Sequence, residues 1–370
     1  MPIKQILALI LSVFKILFPF AVDTFTNSGD KLMYEWSADI EFTEEYFIEL
    51  EKAPDRDFKI LNLTDIQVYD SELYHESKNG IGHDCLAIVK KVIEDEQPDL
   101  ITVSGDSFCS TLSTLETIEV IDAFGIPWAP VFGNHEGGNQ GTWLFWGAYQ
   151  LANAKHSLFE YGPKDMGYGN YVINITVEGE VVHTLYMMDT HNKNYFTVNG
   201  KIVYASDHLW QNQIEWYEWA VRGNERLAGH PVTSTAIFHI PPYEFTKAWR
   251  SVTDGVYRED APYGELKPEY SDIASGTAGE YFGTSPVNNG FFDKVKELGS
   301  TKNIIVGHNH YNDCSILYEG VYFIHSVHTG FGCYYRDDML GATVLMVSSS
   351  GDTDFYNVYY SFINGEWVRR

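Results

Sequence analysis

The sequence predicts an α/β protein in which two sheets carry helices on their outer sides. Three observations point there. Early in the chain, buried strands alternate with helical stretches; further along, strand-like runs dominate; and 370 residues, 44% of them hydrophobic, can bury a large core.

The element order follows from the pattern. "FKILNLTD" reads as a buried strand, residues 82–96 as a helix with Leu86, Val89, Val92 and Ile93 at helical spacing, and "PDLITVSGD" as a second strand. A helix near 112–124 leads into "IPWAPVFGNHE". This alternation predicts parallel strands joined by right-handed crossovers. Downstream, "GNYVINITV", "VVHTLYMMD", "TSTAIFHI", "KNIIVGHNH", "SILYEGVYFIHS", "GATVLMVSS" and "DFYNVYYSF" supply the strands of two sheets. Residues 241–290, rich in Pro, Gly and Tyr, show no clear periodicity and read as one long loop segment.

This main domain, 57–370, is preceded by an extension, 23–56, and a hydrophobic segment, 1–22. Ile6–Val22 ("ILALILSVFKILFPFAV") is apolar on every face apart from Lys15, so it is not an amphipathic surface helix. As a membrane span it is barely long enough, and Lys15 near its middle costs roughly 2.5–3.5 kcal/mol. As a signal peptide it has a fair apolar region in Ile6–Phe14, but only Lys4 before it, and Pro-Phe-Ala at 19–21 matches the cleavage pattern poorly. A buried N-terminal helix is the third reading. Export or membrane association through residues 6–22 is favoured, which implies a secreted or membrane-associated location without excluding a cytoplasmic one.

With 25 Lys+Arg against 51 Asp+Glu, the formal net charge is -26 and no basic patch stands out. A nucleic-acid backbone would be repelled, so it is not an expected partner. Cys85, Cys109, Cys314 and Cys333 form no C-x-x-C pair, which argues against a zinc module or a disulfide framework.

The polar residues at the strand ends carry the functional signal. Asp65 ends the first strand, with Gln67 two residues on; Gly105-Asp106 ends the second and Gly133-Asn134-His135-Glu136 the third. His239 follows "TSTAIF", and Gly307-His308-Asn309-His310 follows "KNIIV". Taken singly, each has a bland explanation as a helix cap, a turn or a hydrogen-bonded structural histidine. Carboxyl ends of parallel strands face one crevice, however, so the five groups could converge. Aspartate, asparagine and histidine together suit Mn, Fe or Zn. Asp189, His191, His325 and His328 also fall near strand ends and read as pocket candidates at most. Trp143, Trp146, Trp216 and Trp219 read as packing residues.

Asp-x-Gln, Gly-Asp, Gly-Asn-His-Glu, a solitary His and Gly-His-x-His, in this order and each on a strand, resemble the motif set of the calcineurin-like metallophosphoesterases. The resemblance extends over residues 57–345. "IFHIPPYEF", "GPKDMGYGNYVI" and "VGHNHYNDC" look most like the branch containing purple acid phosphatase 29 and Dcr2-type phosphatases. It implies a four-layer α-β-β-α metallophosphatase sandwich with two mixed sheets. It also implies a phosphatase or phosphodiesterase that uses a metal-bridging hydroxide. Two divalent or trivalent metal ions are expected: Asp65, Gln67, Asp106 and His310 at the first, with Asp106 bridging to a second completed by Asn134, His239 and His308. His135 matches the residue that stabilises the transition state or protonates the leaving oxygen, with Asp106 as its expected partner. Glu136 is open between orienting a ligand and a plain structural role.

Two departures stand out. Most of the family has histidine where Gln67 stands, although an amide oxygen can still bind a hard cation. Cys109, three residues after Asp106, occupies the place of a tyrosine ligand in purple acid phosphatases; a small buried cysteine is the simpler reading, with a thiolate ligand as the alternative. Gln67 also keeps open a second function, a non-catalytic binding protein with a weakened first metal site.

Overall fold

A computed structural model of the chain describes residues 32–69, 86–136 and 144–370. The hydrophobic segment 6–22, Cys85, Trp143 and the start of the helix expected over 82–96 lie outside the described residues. In chain order the elements are β1 (Phe47–Glu51), β2 (Phe58–Leu63), α1 (Ala87–Glu96), β3 (Leu100–Ser104), α2 (Thr111–Asp122), β4 (Trp128–Val131), α3 (Leu144–Asn153), β5 (Tyr171–Val177) and β6 (Glu180–Met187). They continue through β7 (Lys193–Val198), β8 (Lys201–Ser206), α4 (Gln211–Ala228), β9 (Thr233–Ile237), α5 (Glu244–Val252), β10 (Ala274–Ser275), α6 (Phe291–Leu298) and β11 (Thr301–Val306). The last are β12 (Ser315–Tyr318), β13 (Val321–His325), β14 (Leu340–Val347), β15 (Thr353–Ile363) and β16 (Glu366–Arg369).

Two mixed sheets result. One has the order β16-β15-β14-β2-β3-β4, with β2, β3 and β4 parallel as their crossovers predict. The other runs β1-β5-β6-β9-β11-β13-β12-β10, with β6, β9, β11 and β13 parallel at its centre. Side chains of these central strands alternate between two cores. Ile237, Ile305 and Ile324 share one with Ile60, Val103 and Ala129 of the six-stranded sheet. Ala236, Ile304 and Phe323, each one residue away, share the other with Ile214 and Tyr217 of α4 and Phe291 of α6. Helix α1, with Val89, Val92 and Ile93 buried, covers β2 and β14 on the far side. The layers are therefore helix, sheet, sheet, helix.

Three departures from the sequence-based expectation have physical reasons. Residues 241–290 are not one loop: α5 lies inside them, burying Phe245, Ala248, Trp249 and Val252 at helical spacing. Its periodicity lasts barely two turns and is hidden behind Pro241-Pro242. The extension contributes the edge strand β1, paired parallel with β5. It is held down by Phe42 and Tyr46, whose rings meet Trp219 of α4 edge-on at centroid distances of 4.9 and 5.0 Å. Finally, β7 and β8 form a separate two-stranded hairpin, closed at Asn199-Gly200 with both residues at positive φ. Among the described residues, no helix is long and apolar enough to cross a membrane.

Candidate metal centre

The carboxyl ends of β2, β3 and β4 meet those of β9 and β11 along one edge of the sandwich. Backbone hydrogen bonds fix the meeting: Asp65 N–H donates to Gly105 O at 3.1 Å, Gln67 N–H to Asp106 O at 3.0 Å, and Gly307 N–H to His239 O at 3.0 Å. All seven residues expected as ligands come together here.

Asp106 is central. Its Oδ2 lies 3.1 Å from Nε2 of His239 and accepts a hydrogen bond from Gln67 Nε2 at 3.0 Å, while Oδ1 accepts the backbone N–H of His135 at 2.7 Å. On one side, His239 Nε2 is also 3.1 Å from Asn134 Oδ1 and 3.3 Å from His308 Nδ1. Asp106, His239 and His308 offer ligand atoms all within 4.8 Å of one another. On the other side, Nε2 of His310 is 3.5 Å from Oδ1 of Asp65. Asp65 Oδ2 accepts the backbone N–H of His308 at 2.9 Å, which joins the two halves.

The backbone is bent to achieve this. Asp65, Gln67, Asp106 and His308 all have positive φ, at 51°, 40°, 49° and 85°, conformations that cost non-glycine residues energy and persist where the surroundings impose them. The packing leaves no slack either: a Cβ on Gly307 would collide with Thr64 Oγ1 and Asp65 Oδ2. A Cβ on Gly283, from the 241–290 segment, would collide with the His308 ring. That segment therefore reaches the centre, which its composition does not reveal.

Buried negative charge dominates the electrostatics. Burial opposes ionisation of Asp65 and Asp106, but His239 and further neighbouring histidines outweigh it and hold both carboxyls below the usual range. Burial likewise opposes charge on His239, yet Asp106 beside it pushes the imidazole up to about 10. His308, half-buried and facing His239, is pushed down to about 3 by desolvation of its ring, with the charge of His239 adding to the effect. The protein thus recruits positive charge around two buried aspartates, the service a cation performs. Among the described residues, no group donates a hydrogen bond to two buried oxygens, Asp65 Oδ1 and Gln67 Oε1. These orphaned acceptors, beside an oxygen and nitrogen donor set, fit metal ions.

The supporting residues sort themselves. His239 Nδ1 is 2.9 Å from Ser104 O, and His310 Nδ1 is 2.6 Å from Tyr334 O. With Nδ1 of each ring held on a carbonyl, Nε2 faces the centre, and a bound cation that displaced the second proton would find its lone pair there. The His310 ring is clamped between His328 and Tyr334, with centroids 4.0 and 4.1 Å away and planes within 16° and 9°. This clamp, which gives His328 a packing role, is invisible in sequence because it joins residues from separate loops. Tyr334 also lines a cavity of about 780 Å³ with Tyr311, Tyr335 and Trp367.

His135 points outward, its side chain 47% exposed and its Nε2 3.9 Å from Asp106 Oδ2. Its Nδ1 lies 3.2 Å from the hydroxyl of Tyr69, a partner the sequence does not suggest. Glu136 is buried and accepts four backbone N–H groups, those of Asp106, Ser107, Phe108 and Gly133, which is the structural role. Cys109 is buried, and burial pushes its thiol up, away from a thiolate. Asp189 and His191 form a network of their own with Asn170 and Gln213. His325 is packed between Phe245 and Phe282.

A helix-flanked double sheet with carboxylate, amide and imidazole groups at its strand ends defines the metallophosphatase class. Residues 58–312 match the calcineurin-like phosphoesterase model, and the chain belongs to that family. Among its relatives, it is 27% identical over 277 residues to a probable inactive purple acid phosphatase 14 of Arabidopsis thaliana, covering 67% of this chain and 62% of that protein. It is 30% identical over 220 residues to phosphatase DCR2 of Saccharomyces cerevisiae, covering 53% of this chain and 36% of that one. The chain thus spans less than two thirds of either relative, and both fall in the branch its connecting segments resemble. A solved dimetal phosphatase of Danio rerio aligns over 82% of this chain and 99% of its own, at 11% identity and a TM-score of 0.44.

Proposed function

We propose that the protein hydrolyses phosphoesters at a dinuclear centre, with Asp65, Gln67, Asp106 and His310 holding one ion and Asp106, Asn134, His239 and His308 the other. The observation that carries this reading is the position of Asp106, whose one carboxylate oxygen is within 3.1 Å of donors from both halves of the cluster. Bound there, Mn, Fe or Zn ions supply Lewis acidity toward a phosphoryl group and a water acidic enough to ionise near neutral pH. The chain does the rest. Ser104 and Tyr334 carbonyls fix the tautomers of His239 and His310; Glu136 holds the backbone of Asp106; and the centre, buried except at His308 and His135, keeps bulk water away. His135, exposed at the rim with Nδ1 against Tyr69, is placed to give a proton to the departing oxygen. Residues 57–370 form the catalytic unit, and the apolar segment 6–22 supports a secreted or membrane-associated location.

One observation favours a second reading, a binding protein with a weakened first site: Gln67 turns its amide nitrogen, not its oxygen, toward Asp106. Metal analysis of the purified protein decides between them, together with hydrolysis of aryl phosphate mono- and diesters with Mn, Fe, Zn or no metal. Two ions per chain and metal-dependent turnover, both lost in Asp106→Asn, support hydrolysis. An occupied second site alone with no turnover supports the binding protein.

A further inference from the structure

The β7–β8 hairpin is the least accounted-for part of the molecule. It leaves the carboxyl end of β6, pairs with no other strand among the described residues, and returns to α4. Its register sets Tyr195 opposite Tyr204 and Thr197 opposite Ile202, so these four share one face. Among the described residues, nothing outside the hairpin covers that face: Tyr195 is 71% exposed, Tyr204 60% and Ile202 76%. The opposite face is the one that packs, with Phe196 against His208 at a centroid distance of 5.5 Å. A two-stranded hairpin is marginally stable alone, so an apolar outer face is a poor choice unless something covers it.

Charge narrows what covers it. The chain carries -26, yet residues 190–206 contain no acidic residue and two lysines, Lys193 and Lys201. Tyrosines beside an isoleucine, with Lys193 on their own face and Lys201 next to the turn on the other, suit the boundary between lipid headgroups and acyl chains, where long lysine stems reach the headgroups. A second copy of the chain fits poorly, because two six-residue strands fall far short of the ~800 Å² each partner buries in a stable complex.

The path of the chain gives independent support. Tyr34, near the start of the described residues, accepts a hydrogen bond from Trp216 Nε1 at 2.9 Å. Trp216 lies six residues along α4 from Trp210, about 9 Å at helical rise. The Trp210 ring stacks on His191 at 3.8 Å, and its Nε1 donates to Asp207 Oδ2 at 3.1 Å, at the base of the hairpin. Tyr34, near the start of the described residues, therefore sits on Trp216, about 9 Å along α4 from the base of the hairpin, and the apolar segment 6–22 precedes it in sequence.

We propose that the β7–β8 hairpin is a docking arm for a lipid surface bearing anionic headgroups, with Tyr195, Ile202 and Tyr204 entering the interface and Lys193 and Lys201 meeting the headgroups. The test uses the full chain and sedimentation with vesicles of phosphatidylcholine, alone or mixed with phosphatidylserine. The wild type binds the mixed vesicles more tightly. Lys193→Gln with Lys201→Gln removes that preference, about fivefold per lysine. Tyr195→Ser with Ile202→Ser and Tyr204→Ser weakens binding to both vesicle types tenfold or more, while the circular dichroism spectrum and sedimentation without lipid stay unchanged. Vesicle affinities equal to wild type in both variants overturn the proposal, because segment 6–22 then accounts for all binding. A triple variant that converts a dimer to a monomer overturns it too, and assigns the face to self-association.

Discussion

The carboxylate of Glu136 accepts the backbone N–H of Asp106 at 3.0 Å, so the residue at the middle of the centre is held in place through its main chain. The same side chain takes the N–H groups of Gly133, Ser107 and Phe108, tying the loop after β3 to the loop after β4. Burial, then the charge of Asp106, pushes Glu136 up to about 7 despite these donors.

Glu136→Gln keeps the shape but turns an amide NH₂ toward two of those N–H groups. Losing two charge-assisted hydrogen bonds in a buried setting costs roughly 3–5 kcal/mol. The melting temperature should fall and metal content should fall with it. A wild-type melt with full metal content would show that Glu136 merely fills space.

His135→Ala tests the rim histidine. Its side chain is exposed and lies 3.9 Å from Asp106, so metal content should stay near wild type. Turnover should drop by ~10²–10⁴, most for esters with poor leaving groups. Metal loss instead would make His135 a ligand. Tyr69→Phe, which removes only the hydroxyl partner, should cost less.

Gln67→His exchanges an amide for an imidazole beside Asp106. Zinc affinity of the metal-free protein should rise, while affinity for Mg, which prefers oxygen, should change little. Calorimetric titration of both metals into both proteins reads this directly. Equal zinc affinities would place residue 67 outside the ligand set.

A pH dependence follows from His183, which is remote from the centre. It is fully buried between Thr233 Oγ1 and Thr235 Oγ1, at 3.0 and 2.9 Å, and burial pushes it down to about 3. The unfolded chain takes up a proton at ~6.5 whereas the folded chain does not, so this residue lowers stability as pH falls from about 6.5 toward 3. The slope approaches ~1.4 kcal/mol per pH unit. Urea midpoints at pH 6.5, 5.5 and 5.0 should fall more gently for His183→Gln than for wild type. Parallel slopes would contradict the assignment.

The strand ends are legible in sequence because each motif follows an apolar run whose strand identity is plain, which puts Asp65, Asp106, Asn134, His239 and His308 along one edge. Parallel β2, β3 and β4 follow from the same alternation. Contacts that depend on two distant loops could not be read. The His328–His310–Tyr334 stack and the Gly283 contact with His308 are made by tertiary packing, and no periodicity encodes them. Strand β1 escaped because "FIELE" is short and half polar, and it gains its place through pairing with β5.

The hydrogen bond from His308 to Asp65 spans 243 positions of the chain. Loops of that length close late, after the local helices and the neighbouring strand pairs have formed. A newly made chain therefore has no complete ligand set until the sandwich has nearly finished assembling. If these residues hold ions as proposed, capture would mark the end of folding, where zinc nucleates a finger at its start, and the uptake rate during refolding would time the closure of that long loop.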